Sequence, residues 1–152
     1  MKTKHILTVA IAILTSLAAH AGTDHNHEKK EAGPNGGRIL TSIEPHAEFL
    51  VTADRKVQIT FVDDAFKPTA PAEQVVTVTT GERSAPVKMT FAKTETAFLS
   101  EQTVPEGNNF PVVVQIKPSP DTKAMVEKFT LNLSNCPDCK YAEYACICSH
   151  TH

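Results

Sequence analysis

The chain has 152 residues, with 15 Lys and Arg against 17 Asp and Glu, four Cys and no Trp. That is one domain's worth of sequence. The slightly acidic balance argues against nucleic acid and anionic lipid as partners.

The N-terminus follows the plan of an export signal. Lys2 and Lys4 supply positive charge, and Ile6 to Ala19 is apolar apart from Thr8, Thr15 and Ser16. Ala19-His20-Ala21 places small residues at the two positions a signal peptidase grips. The apolar run is shorter than the ~20 residues a membrane span needs, and the flank after it is polar. Residues 1–21 are therefore predicted to be a cleavable signal peptide, leaving no membrane span after processing. A retained anchor or a buried N-terminal helix is the alternative. No Cys follows Ala21, so a soluble product is expected rather than a lipoprotein, in the periplasm or secreted. Loss of Lys2 and Lys4 leaves 13 basic residues against 17 acidic ones, a net charge of −4.

Residues 22–30 are Gly, Thr, Asp, His, Asn, Glu and Lys, with no apolar side chain to offset the entropy of ordering. Gly33-Pro34-Asn35-Gly36-Gly37 is turn chemistry. Residues 22–37 thus read as a disordered, His-bearing arm ending in a Gly-rich turn.

Residues 38–133 carry a period of two. Val57, Ile59 and Phe61 alternate with polar neighbours, as do Val87, Met89 and Phe91. Val112, Val114 and Ile116 alternate with Val113 and Gln115, and Phe129, Leu131 and Leu133 with Thr130 and Asn132. Alternation of this kind buries one face of a strand, and Val, Ile, Thr and Phe suit a pleated sheet. Thr52-Ala53-Asp54-Arg55 suggests a hairpin between strands over 47–51 and 57–62. Lys67-Pro68 and Pro71, Gly81 to Ser84, Pro105 to Asn109 and Pro118 to Asp121 punctuate the rest. About seven short strands with regular turns predict an all-β, immunoglobulin-like antiparallel β-sandwich.

This segment shows no catalytic set, and the chain is not expected to be an enzyme. Asp63-Asp64 ends a strand where a turn favours Asp. His46 is a lone His at a strand start, either a bystander or a stray metal ligand.

Residues 134–152 concentrate the chemistry. The pattern C-x2-C-x6-C-x-C-x-H-x-H puts Cys136, Cys139, Cys146, Cys148, His150 and His152 within 17 residues. Cys136-Pro137-Asp138-Cys139 is a tight knuckle that aims two sulfurs at one point. Six intervening residues are enough to bring Cys146 and Cys148 back to it. Four thiolates suit tetrahedral Zn²⁺ and also Cu(I). On an extended strand Cys146, Cys148, His150 and His152 share a face but spread too far for one ion. The four cysteines are thus the expected main site, with His150 and His152 as alternates or a weaker second site. In an oxidising compartment two disulfides are the competing outcome. A redox-active Cys136–Cys139 ring and a Cys148/His150 nucleophile pair are poorer fits. His25 and His27 form a further weak metal cluster or a solvated leader.

The His-bearing arm, Gly33-Pro34-Asn35-Gly36-Gly37-Arg38, the strand Glu48-Phe49-Leu50-Val51 and Lys67-Pro68 with Pro71 together resemble a known module. It is the small N-terminal β-domain of heavy-metal efflux periplasmic adaptor proteins. The resemblance spans residues 25–130, but those adaptors often carry His at the position of Asn35. They also continue into further domains, where this chain ends in its Cys/His tail. The resemblance implies a periplasmic setting and a link to heavy-metal handling, with an envelope metal-efflux component as a possible partner. Adaptor function is not carried over. The expectation is an exported protein that sequesters or delivers Zn²⁺ or Cu(I). A disulfide-stapled sandwich serving as an interaction module is the alternative.

Overall fold

The computed structural model describes residues 31–148. The predicted signal peptide (residues 1–21), His25, His27, His150 and His152 lie outside the described residues. No helix among the described residues is long and apolar enough to cross a membrane.

Among the described residues, ten strands form two antiparallel sheets. They are β1 (Arg38–Leu40), β2 (Ala47–Val51), β3 (Lys56–Val62), β4 (Pro68–Thr69), β5 (Val75–Glu82), β6 (Ala85–Met89), β7 (Phe91–Lys93), β8 (Phe98–Thr103), β9 (Phe110–Lys117) and β10 (Met125–Leu131). One sheet has the order β1-β2-β3-β8-β7, with β4 added on β3, and the other the order β10-β9-β5-β6. The run β2-β3-β8-β7 facing β5-β9-β10 has the connectivity of an immunoglobulin-like sandwich, with β6 as an extra strand.

The core follows from the alternation. Val57, Ile59 and Phe61 of β3, and Val112, Val114 and Ile116 of β9, are all buried and belong to one apolar cluster. The two sheets meet directly where Phe49 of β2 packs edge-on against Phe129 of β10, ring centroids 5.1 Å apart. Arg38 adds a polar clasp across the same opening. Its guanidinium lies 4.8 Å from the Phe129 ring centre and 3.4 Å from Glu127 Oε1.

The structure departs from the sequence pattern in three places. The run 87–92 is not one strand: β6 pairs with β5 in one sheet, and β7 pairs with β8 in the other. The chain changes sheets at Thr90, whose N–H donates to Gln102 Oε1. The strand β8 lacks an apolar alternation because Ser100 occupies a buried position. Its hydroxyl accepts the Val57 N–H and donates to the Gln102 carbonyl, where the β3–β8 register shifts. The last strand begins at Met125 rather than Phe129, and Leu133 lies beyond its end.

The Gly-rich turn is organised by one side chain. Glu48 on β2 is fully buried. Its Oε1 accepts the N–H groups of Asn35 at 2.9 Å and Gly37 at 2.7 Å, and its Oε2 accepts Asn35 Nδ2 at 2.7 Å. A Cβ on Gly33 would lie 2.4 Å from the Glu48 carboxyl carbon, and one on Gly37 would lie 2.4 Å from the Phe49 carbonyl oxygen. Both glycines are thus set by close approach to β2.

Candidate metal centre

The segment after β10 folds back on itself before it reaches the second pair of cysteines. Asn135 and Ala142 form an isolated antiparallel bridge. Cys136 N–H donates to the Tyr141 carbonyl and Glu143 N–H to the Ser134 carbonyl, both at 2.9 Å. A single 3-10 turn, Glu143–Ala145, then reverses the chain, and Cys146 leaves it extended. This small hairpin and turn use up the six residues between Cys139 and Cys146.

Two tyrosines fasten the segment to the sandwich. Tyr144 is buried, packs edge-on against Phe49 at 5.9 Å, and its hydroxyl accepts the Val51 N–H at 3.0 Å. That N–H lies at the end of β2 beyond the reach of β1, so the phenol replaces a missing ladder partner. Desolvation raises the Tyr144 pKa above its ordinary value, opposed by the Val51 N–H and reinforced by Glu48. Tyr141 lies against Gly36, whose φ of +86° requires glycine or a strained substitute. Neither anchor is evident from local sequence pattern. Their signal was the placement of both tyrosines of the chain between the cysteine pairs.

The four sulfurs of Cys136, Cys139, Cys146 and Cys148 all lie within 4.8 Å of one another. Cys136 and Cys146 sulfurs are 3.3 Å apart, and Cys139 and Cys146 sulfurs 3.8 Å. No disulfide joins any two of the four. A tetrahedral ion with metal–sulfur bonds of ~2.3 Å has ligand edges of about 3.8 Å. The cluster therefore fits one four-coordinate ion, and the four cysteines can hold a metal.

The backbone around the sulfurs has a repeating pattern. Cys148 N–H donates to Cys146 Sγ at 3.3 Å. The N–H groups of Asp138 and Tyr141 bond the sulfurs of Cys136 and Cys139. Each donor is two residues beyond its cysteine. Amide donors of this kind favour the thiolate over the thiol. For Cys139 the Tyr141 N–H outweighs burial and holds the thiol below its ordinary pKa. For Cys136 the Asp138 N–H lowers the pKa, but burial and the neighbouring thiols together leave it raised. Cys148 is pushed up to about 12, first by desolvation and then by the adjacent sulfurs. Four thiols packed this closely cannot all ionise without a cation among them.

Other sequence candidates sit apart from this centre. His46 Nδ1 donates to the Ile43 carbonyl at 2.9 Å, which leaves Nε2 as the acceptor of the neutral ring. The ring stacks on Phe66 and its Nδ1 is 3.4 Å from Glu44 Oε1. Asp63 Oδ1 accepts the N–H groups of Ala65 and Lys67 and so closes a turn. A groove of about 790 Å³ borders the cluster and is lined by Glu31, Arg38, Ile39, Thr41, His46 and Cys146 among others. Comparison with family models, with curated proteins and with solved structures finds no match.

Proposed function

We propose that this is an exported zinc-binding protein of the cell envelope, which sequesters or hands over the ion through Cys136, Cys139, Cys146 and Cys148. The observation that carries this reading is the convergence of four sulfurs at near-tetrahedral spacing, three of them with an amide donor two residues on. Four sulfur ligands in a tetrahedral set favour Zn²⁺, and Cu(I) is the competing cargo. The signal-like N-terminus supports export, and the absence of a catalytic set in the sandwich supports binding rather than enzymatic work. An envelope metal-efflux component is the proposed partner.

The test is a Cys136→Ser plus Cys139→Ser variant, with Co²⁺ as a spectroscopic stand-in for zinc. The parent should show the charge-transfer and d–d bands of a tetrahedral thiolate site, and the variant should lose them. Because the variant touches no strand, it should keep its β-sheet circular dichroism and unfold cooperatively. A parent protein without the thiolate bands would overturn the reading.

A further inference from the structure

The four sulfurs of the metal centre are not equivalent, because three of them are pinned by the backbone around them. Cys136 is buried, its N–H donates to the Tyr141 carbonyl at 2.9 Å, and its sulfur accepts the Asp138 N–H. The Cys139 sulfur accepts the N–H of Tyr141, whose ring lies against Gly36 of the sandwich. Cys146 leaves the 3-10 turn that Tyr144 fastens to β2. Its N–H donates to the Glu143 carbonyl at 3.2 Å, and its sulfur accepts the Cys148 N–H at 3.3 Å.

Cys148 is held differently. It lies beyond the 3-10 turn, and its own N–H is spent on Cys146 Sγ. Among the described residues its sulfur accepts no amide; desolvation and the other three sulfurs act on it instead. Ile147 beside it is 38% exposed, so this flank of the centre faces solvent. Burial does not separate Cys148 from Cys139 and Cys146, since all three are half-buried. The amide donors do.

An N–H donor stabilises the charge on a thiolate, and a stabilised thiolate is a poorer nucleophile. The sulfur without such a donor therefore keeps the most charge for an electrophile or a proton. Its departure also disturbs least, because it breaks one N–H contact and leaves the cysteine hairpin and both tyrosine anchors in place. We propose that Cys148 is the exchanging ligand of the centre, the sulfur that lets go when the ion is handed over, while Cys136, Cys139 and Cys146 keep hold of it. This rests on the zinc reading above. In the exchange the Zn–S bond of Cys148 breaks, and a thiolate or imidazole of the acceptor bonds the ion in its place. The freed Cys148 sulfur takes a proton from water. The ion stays Zn²⁺ and four-coordinate before and after, so no electrons are transferred.

The experiment uses the full chain loaded with zinc. During prolonged exposure to iodoacetamide, each alkylation forms an S–C bond and expels iodide, and peptide mass spectrometry follows the four cysteines separately. Cys148 is modified at least ~10-fold faster than each of the others, the factor that one hydrogen bond to a charged group supplies. In a second measurement a chromogenic chelator is the acceptor. Cys148→Ser still binds zinc and passes it to the chelator at least ~10-fold faster than the parent, since the bond that must break first is already missing. Cys139→Ser binds zinc at least ~10-fold more weakly than Cys148→Ser, because it also abandons the Tyr141 N–H. Alkylation of Cys136, Cys139 or Cys146 as fast as Cys148 in the zinc-loaded protein overturns the assignment. So does a Cys148→Ser variant that loses zinc as completely as Cys139→Ser. A parent that takes up no zinc overturns the metal reading itself, and this inference with it.

Discussion

Replacing Glu48 tests the physical account of the fold at its most polar point. Glu48→Ala removes the acceptor for two backbone N–H groups, those of Asn35 and Gly37. A buried donor left unsatisfied costs about 1–3 kcal/mol, so the loss of an acceptor for two is roughly 2–6 kcal/mol. Asn35 Nδ2 belongs to an exposed residue and can turn to water. Against a total stability of about 5–15 kcal/mol, the variant is brought close to unfolding. With a urea slope of about 1–3 kcal/mol/M, the midpoint should fall by at least ~0.7 M. Glu48→Gln separates hydrogen bonding from charge. Its carbonyl can still accept both N–H groups, and its amide can face Asn35 after that side chain turns over. Its cost should be about 1–2 kcal/mol, the difference between charged and neutral acceptors. Equilibrium urea unfolding by circular dichroism measures both. Equal effects of the two substitutions, or a shift below ~0.5 M for Glu48→Ala, would refute the reasoning.

Further outcomes follow from the same contacts. Gly37→Ala places a Cβ 2.4 Å from the Phe49 carbonyl oxygen, a backbone atom that cannot swing away. It should cost at least ~2 kcal/mol in the same assay. Tyr144→Phe leaves the Val51 N–H without its acceptor and should cost about 1–3 kcal/mol. The raised pKa of Tyr144 means the folded state favours the protonated phenol. Its stabilisation is complete below the ordinary tyrosine value and is lost as pH rises through the folded one. The parent should therefore lose stability in the alkaline range more steeply than Tyr144→Phe, as thermal unfolding across pH will reveal. At neutral pH the Cys148 thiol, pushed up to about 12, and the raised Cys136 thiol are protonated before metal arrives. Binding displaces at least these two protons, so apparent affinity should fall by at least about 100-fold for each unit of decreasing pH near neutrality. Chelator competition measures this slope, and a slope clearly below two protons would contradict it.

The sequence exposed those features whose physics is local. The strands around Val57–Phe61 and Val112–Ile116 announced themselves because each buries one face along a continuous run. The four-sulfur centre was legible because a C-x2-C knuckle fixes two sulfurs within four residues. The chain's change of sheet at Thr90 was hidden, since the alternation of Val87, Met89 and Phe91 continues across it. The strand β8 was hidden because Ser100 is buried by hydrogen bonding rather than by hydrophobicity. Glu48 read as one acidic residue in an apolar strand. Its role depends on Asn35 and Gly37, 11 to 13 residues away, and only the fold brings them together. The packing of Tyr144 into the core has the same non-local origin.

Elemental analysis combined with thiol mapping of the untagged protein, recovered from the compartment where it accumulates in its own cell, is the decisive measurement for the metal centre. The account predicts one zinc per chain, with Cys136, Cys139, Cys146 and Cys148 shielded from alkylation until a chelator strips the ion. A metal-free protein in which those four residues are joined pairwise as cystines would contradict it.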